Sequence, residues 1–291
     1  MRTQVHMGTF IKVDVEDMTL SDAVFEEFAL LDRLLSTYKI DSEISRLNRD
    51  NELIPSLVTR EILEHSLRMY HLSEGAFDIT IGSLTHNAYR FGYTNEHLPS
   101  SKEIEEQSRF IGSDGIKTVG NKIITIKGSV IDLGGIAKGY AVDRALRLLE
   151  NKGVRKAVVA ASGDIGCLGA CEITIQDPFH SDGSIANVSS SLKRFSISTS
   201  GNYERYIKTK AHNHLINPKS HTSQQWFASV TLMDMGDNTR LDALATAVSV
   251  MDEHKAIEML QKLNIKYLLI RNDGTMIKSD MPHGVTLHYT L

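Results

Sequence analysis

The segment Ile131-Asp-Leu-Gly-Gly-Ile-Ala-Lys-Gly-Tyr-Ala-Val-Asp143 constrains this chain more than any other. The β-branched run Ser129-Val130-Ile131 predicts a strand ending in Asp132. Gly134 and Gly135 follow, and then a helical pattern opens with Gly139 in its first turn. Glycines at a strand-to-helix corner let the backbone approach a bound group, while a helix N-terminus offers free N–H donors and the positive end of its dipole. Lys138 adds a point charge. The corner points to phosphate, or to phosphate with a metal. Its spacing is neither a Walker loop nor G-x-G-x-x-G, and close packing alone would also account for the glycines.

Bulk properties exclude several classes. With 41% hydrophobic and 23% charged residues in 291, the chain is globular and not disordered. A net charge of −4 gives no basic face for nucleic acid. No apolar run approaches the roughly 18–20 residues that span a bilayer. The opening MRTQVHMGTF lacks the pattern of a secretory signal, so a cytoplasmic protein is expected, a trimmed exported lipoprotein being the other reading. Cys167 and Cys171, the only cysteines, are expected to be buried free thiols.

Periodicity outlines the fold. A strand is predicted over 8–15, followed by a helix over 22–35 with Val24, Phe25, Phe28, Leu31 and Leu35 on one face. A second helix over 59–73 turns Ile62, Leu63, Leu67 and Tyr70 inward and stops at Gly75. Ser100 and Glu103 make a capping box for a short helix over 101–109. A hairpin at 116–119 and 122–126 turns through Gly120-Asn121. The signature helix covers 136–151 and ends at Gly153. Strands are predicted at 154–160, 171–176, 193–198, 204–209 and 226–233, with 179–191 as a polar surface loop. Helices at 239–251 and 254–263, a hairpin around Asn272-Asp273-Gly274 and a strand at 284–290 complete the chain. Hairpin-joined strands and helices in runs indicate an α+β fold with largely antiparallel sheets, as one domain over 1–291 without a separable linker.

Five further segments carry candidate chemistry. Leu35 to Asn48 is dense in hydroxyls and amides around Tyr38, and reads equally as a helix exit with Ser42 as N-cap. Gly75 to Leu84 places Asp78 in an apolar stretch, where a carboxylate needs either a structural network or a site. Ser198-Thr-Ser-Gly-Asn-Tyr-Glu-Arg205 is a hydroxyl-rich turn leaving a strand. His212 and His214 precede an Asn-Pro bend. Asp242 and Thr246, four apart, share a helix face and offer the oxygen ligands that suit Mg²⁺, although an Asp early in a helix is also an ordinary cap.

In this order and spacing the segments resemble the ApbE family of FAD:protein FMN transferases, from Met7-Gly-Thr-Phe10 to the final strands. The matching motifs are S-T-Y-K-x-D-S-E-I-S-R-L-N, G-A-F-D-I-T-I-G, I-D-L-G-G-I-A-K-G-Y-A-V-D, S-T-S-G-N-Y-E-R, H-x-I-N-P-K-S and D-A-L-A-T-A. The resemblance implies two fused, related α/β halves with mostly antiparallel sheets, a T-fold-like duplication, and FAD in the cleft between them. It implies Mg²⁺-dependent cleavage of FAD at its pyrophosphate, with FMN passing to a Thr or Ser hydroxyl of an acceptor flavoprotein and AMP leaving.

The same resemblance assigns residues. Mg²⁺ would be held by the Ala137 carbonyl and the side chains of Asp242 and Thr246. Tyr38 would contact the flavin, and Met7, Asn48, Ala76, Phe77, Asp78, Ser198, Thr199, Ser200 and Gly201 would belong to the FAD cleft. Asp132, Gly134, Gly135, Lys138 and Gly139 would face the pyrophosphate, with Lys138 and Asp242 also acting in catalysis. His214 would contact FAD and accept the acceptor hydroxyl's proton. Two departures stand out: Ser162-Gly163-Asp164 where the family usually has Gly-Gly-Asp, and Asn217-Pro218-Lys219-Ser220-His221 where it usually has Asp-Pro-x-Thr-Gly. Losing the last glycine is expected to alter the turn's dihedral angles. The competing readings are an FAD pyrophosphatase yielding FMN and AMP, and a non-catalytic FAD-binding protein.

Overall fold

The computed structural model describes residues 1–290. In chain order its elements are β1 (Arg2–His6), β2 (Thr9–Val15), α1 (Met18–Leu35), α2 (Glu43–Asp50), β3 (Glu52–Leu53), α3 (Leu57–Leu72), a π-helical turn (Ser83–Ala88), α4 (Ser101–Ser108), β4 (Lys117–Val119), β5 (Lys122–Ile124) and α5 (Ala137–Asn151). The second half adds β6 (Ala157–Ala161), β7 (Asp164–Leu168), β8 (Cys171–Gln176), β9 (Ser184–Ser190), β10 (Arg194–Gly201), β11 (Phe227–Asp234), α6 (Asn238–Val250), α7 (Glu253–Lys262), β12 (Lys266–Arg271), β13 (Met276–Lys278) and β14 (Val285–Tyr289).

An eight-stranded sheet, ordered β1-β2-β6-β7-β10-β11-β12-β13 and antiparallel throughout, forms the backbone of the molecule. Each face is covered because the inner strands supply apolar residues to both. On one face α1, α5 and α6 pack through Phe28, Leu31, Tyr140, Leu146, Leu241 and Leu244 into the main core. On the other, the small sheet β14-β9-β8 packs Ile173, Ile175, Ala186 and Val188 against Phe195, Ile197, Leu268 and Ile270. A third small sheet, β3-β5-β4, carries the hairpin at Gly120-Asn121. The layers are those of a mixed α/β fold with antiparallel sheets.

The helical face of α1 is buried at every position expected from its periodicity. Ser42 caps α2 by accepting from the Ser45 N–H, and Ser100 with Glu103 forms a full capping box on α4. Several expectations fail for identifiable reasons. Residues 204–209 form no strand, because β10 already has β7 and β11 on its two edges; only a bridge between Tyr206 and Asn213 remains. Half of the expected loop at 179–191 is β9, whose Ala186, Val188 and Ser190 alternate inward while polar residues face out. Residues 129–131 make a single bridge, Val130 to Ile81, and no strand. The Ser198–Gly201 segment is not a turn but the end of β10, in register with β11. Tyr70 stays half-buried, donating to Asp114 at 3.0 Å, and Met69 takes the inward position. Cys167 and Cys171 are not free thiols; they are joined as a disulfide between β7 and β8.

The two motif departures retain the backbone that glycine would favour. Ser162 has φ +57° and His221 has φ +60°, both in the left-handed region. Asn217 compensates for the missing Asp. Its Oδ1 accepts from the Lys219 and Ser220 N–H groups at 2.8 and 3.1 Å, and its Nδ2 donates to the Val250 carbonyl at 2.7 Å. An Asp could make the first two bonds but not the third.

Candidate active site

The signature corner is fixed from behind. The Asn48 amide brackets Ile131, accepting from its N–H at 2.7 Å and donating to its carbonyl at 3.0 Å. Asp132 then turns the chain by accepting from the Gly134 N–H at 2.8 Å and from Thr85 Oγ1 at 2.8 Å. Burial would push the Asp132 carboxyl up, but the His86 imidazole beside it, the Gly134 N–H and the Thr85 hydroxyl outweigh that and hold it well below the usual carboxylate range.

α5 starts at Ala137 with no side-chain cap. Its early N–H groups are nevertheless partly used, Ala137 donating to the Leu133 carbonyl and Gly139 to Asp242 Oδ2 at 2.9 Å. Gly139 was expected to allow a close approach to phosphate; the close approach is to α6 instead. A Cβ at 139 would overlap the Asn238 carbonyl and meet Asp242 Cβ at 2.7 Å. The glycine therefore lets two helices cross closely enough to bring Asp242 to the corner. The start of α6 is tied to α5 by Asp143, whose carboxylate accepts from the Asn238 N–H at 3.1 Å, the Thr239 N–H at 2.8 Å and Thr239 Oγ1 at 2.7 Å.

Lys138 closes this side of the site. Its Nζ lies 2.9 Å from Asp164 Oδ2 and 3.6 Å from Asp242 Oδ2. Burial disfavours its charge, but the two carboxylates override that and raise its pKa. Burial and the nearby Asp164 push Asp242 upward, with Lys138 opposing. Asp164 is fixed in turn by Ser198 Oγ at 2.6 Å. Two buried carboxylates thus share one ammonium and leave a negative balance. Among the described residues no group of three or more His, Cys, Asp or Glu converges as a metal site. The alternative donor set, Asp242 with the Thr246 hydroxyl and the Ala137 carbonyl, is all oxygen, and Thr246 Oγ1 sits where a Cβ on Gly135 would meet it at 2.7 Å. Oxygen donors and surplus negative charge fit a hard divalent cation.

Across the cleft, Tyr38 donates its phenol to the Phe91 carbonyl at 3.2 Å and leaves 53% of its surface exposed. His214 Nδ1 lies 3.1 Å from the Arg205 carbonyl, so Nδ1–H donates and Nε2 keeps its lone pair. Burial, with Arg205 and Lys138 nearby, lowers its pKa to about 4 against a weaker pull from Asp132, so the imidazole is neutral near pH 7.

These groups line one cleft of about 620 Å³, within the range of cofactor sites. Met7, Tyr38, Ala76, Phe77, Asp78, Asp132, Gly134, Gly135, Ala137, Lys138, Thr199, Ser200, Gly201, His214, Asp242 and Thr246 all border it. Asn48, Gly139 and Ser198 do not: Gly139 holds the lining Asp242, Ser198 holds Asp164 behind Lys138, and Asn48 holds Ile131 while bordering an adjacent groove. Asp78 is fully engaged in a structural network, accepting from Thr80 and Ser113 through backbone and hydroxyl groups. Sequence reasoning missed Asp164, His86 and Arg205 as site residues. Asp164 and Arg205 had signals, their places in the altered Ser-Gly-Asp stretch and at the end of the S-T-S-G-N-Y-E-R motif; His86 had none.

Comparison with known proteins gives the family of the chain. The ApbE family model matches residues 7–269. An FAD:protein FMN transferase of Haemophilus influenzae is 30% identical over 264 residues, covering 84% of this chain and 76% of the relative. One of Escherichia coli K12 is 26% identical over 300 residues, covering 94% and 85%. Among solved structures, the ApbE protein of Thermotoga maritima superposes with a TM-score of 0.86 at 27% identity, covering 96% of each chain. The flavin transferase ApbE of Vibrio cholerae does so with 0.82 at 25% identity, again covering 96% of each. With a family model spanning most of its length and a fold shared from end to end, this chain belongs to the ApbE family.

Proposed function

We propose that the protein is an Mg²⁺-dependent FAD:protein FMN transferase acting as one unit over 1–291. The observation that carries this reading is the placement of Lys138 between Asp164 and Asp242 at the wall of a cleft that also presents Tyr38 and His214. Phosphoryl transfer depends on positioning and on neutralising charge at the transferring group, and this wall offers both. Asp242, Thr246 and the Ala137 carbonyl would hold Mg²⁺, which when bound neutralises charge on the pyrophosphate oxygens. Lys138, fixed by its two carboxylates, is aimed at the same phosphates. Tyr38 presents a half-exposed ring to the isoalloxazine.

His214 receives the proton of the acceptor hydroxyl at Nε2, the nitrogen left free by the Nδ1–H bond to Arg205. The acceptor oxygen bonds to the FMN phosphorus, the bond from that phosphorus to the bridging oxygen breaks, and AMP carries the bridging oxygen away. The partners are FAD and an acceptor flavoprotein bearing a Thr or Ser. No helix among the described residues is long and apolar enough to cross a membrane. The Cys167–Cys171 pair suits an oxidising compartment and not the cytoplasm expected from the sequence; two free thiols titrating in the native protein as isolated would contradict this.

The test of the reading is FMN labelling of an acceptor domain in the presence of FAD and Mg²⁺. We expect labelling to disappear with chelator and in Asp242→Ala. Full labelling by Asp242→Ala would remove Asp242 from the proposed metal set.

A further inference from the structure

One buried polar side chain in this region lacks an aligned hydrogen bond. His86 lies on the π-helical turn Ser83–Ala88, its side chain is 7% exposed, and neither ring nitrogen has an aligned hydrogen-bond partner. Nε2 lies 3.2 Å from Asp132 Oδ2, close but out of line. Burying polar atoms unmet costs free energy unless a ligand or water satisfies them, and π-turns recur at functional sites.

His86 also marks a junction. A second cavity, a groove of about 370 Å³, shares Thr37, Tyr38 and His86 with the cleft. Beyond the flavin-facing Tyr38, its rim carries two exposed apolar side chains, Ile40 and Tyr93, with 73% and 38% of their surface accessible. Ser45, Asn87 and His86 contribute polar groups within it. An apolar rim over polar groups suits an extended polypeptide, whose side chains cover the rim while its backbone amides find partners below.

We propose that this groove receives the hydroxyl-bearing segment of the acceptor protein, with His86 supplying a hydrogen bond to that segment. The inference rests on the transferase reading. That reaction brings two substrates together, so it needs a second site opening on the first. Lys138, Asp242 and Thr246 border the cleft and not the groove, so the pyrophosphate belongs to the cleft; Tyr38 stands at the junction, and the groove beyond it is left for the protein substrate. Asp132 links the two: it touches His86 on one side and accepts from Gly134, four residues before Lys138, on the other. The inner end of the groove therefore meets the phosphate corner.

The test uses the full chain with a flavoprotein domain as acceptor. It measures FAD affinity by flavin fluorescence, together with kcat and the KM for acceptor from labelling rates. In His86→Phe the acceptor KM should rise at least about tenfold, and His86→Asn should recover part of the loss. Ile40→Asp changes an exposed rim position outside the FAD cleft, so the fold is preserved, and should raise the acceptor KM at least about threefold while FAD affinity stays within about twofold. Loss of FAD affinity in His86→Phe with an unchanged acceptor KM would assign the imidazole to the flavin and overturn the proposal. An unchanged acceptor KM in Ile40→Asp would exclude the groove. If the wild type labels no acceptor, the transferase reading itself fails and the inference falls with it; labelling by the wild type separates the two.

Discussion

Gly139→Ala is the substitution with the clearest structural consequence. Gly139 is the third residue of α5, at its crossing with α6, and a Cβ there would sit 2.7 Å from Asp242 Cβ and against the Asn238 carbonyl. Carbon atoms pack at about 3.5–4.0 Å, so the helices must part by about 1 Å, and a backbone oxygen cannot rotate out of the way. Such overpacking costs about 1–3 kcal/mol. Parting the helices also stretches the 2.9 Å bond from the Gly139 N–H to Asp242, and a hydrogen bond to a charged group is worth about 1.5–3 kcal/mol. Alanine's better helix propensity returns about 1 kcal/mol. The net loss is about 1.5–5 kcal/mol of stability. Displacing Asp242 by the same distance should slow transfer about 100-fold even where the protein is fully folded. Urea unfolding and the rate of AMP release at saturating FAD measure the two effects. A variant within about 0.5 kcal/mol of the wild type and with full activity would refute the view that this glycine exists to seat Asp242.

Other expectations follow from the same geometry. Ser162→Gly and His221→Gly relieve left-handed backbones at φ +57° and +60°; each should stabilise the fold by about 0.5–1 kcal/mol in urea unfolding, the strain released less glycine's entropy in the unfolded chain. Lys138→Met leaves Asp164 and Asp242 without their shared cation and should cost about 3–5 kcal/mol. Mg²⁺ should raise the Tm of that variant more than that of the wild type, and equal shifts would argue against a cation site at Asp242. His214, facing Arg205, Lys138 and Asp132, has its pKa lowered from 6.5 to about 4. Its contribution to stability is therefore present above pH 6.5 and lost as pH falls toward 4, because the unfolded chain takes up the proton first. An NMR titration of His214 with a midpoint near 6.5 would contradict the burial and charge argument. Reducing the Cys167–Cys171 pair opens a loop of only a few residues and should cost no more than about 2 kcal/mol.

Local periodicity conveyed much of this fold. The buried stripe of α1, the alternation of Ile11, Val13 and Val15 in β2, and the capping box of α4 are all set by residues near one another in sequence. Partner availability is not local, which is why residues 204–209 look like a strand yet find no free edge and why β9 is hidden in a polar stretch. The site divides in the same way. The lining residues came from motifs, while Asn48, Gly139 and Ser198 lie off the cleft and bond to its framework, since nothing in a motif tells a lining residue from the group behind it. Asp164 and His86 gain their roles from residues that are distant in sequence, Lys138 and Asp132. No spacing rule reaches that far.

The central claim is that FMN moves intact from FAD to a protein hydroxyl. The direct measurement is a time course of AMP released against flavin covalently bound to the acceptor, read by mass spectrometry of the intact acceptor. One AMP should appear for each FMN attached, with the label on a Thr or Ser. AMP accumulating in excess of attached flavin would identify a pyrophosphatase, and bound FAD with no AMP formed would contradict catalysis altogether.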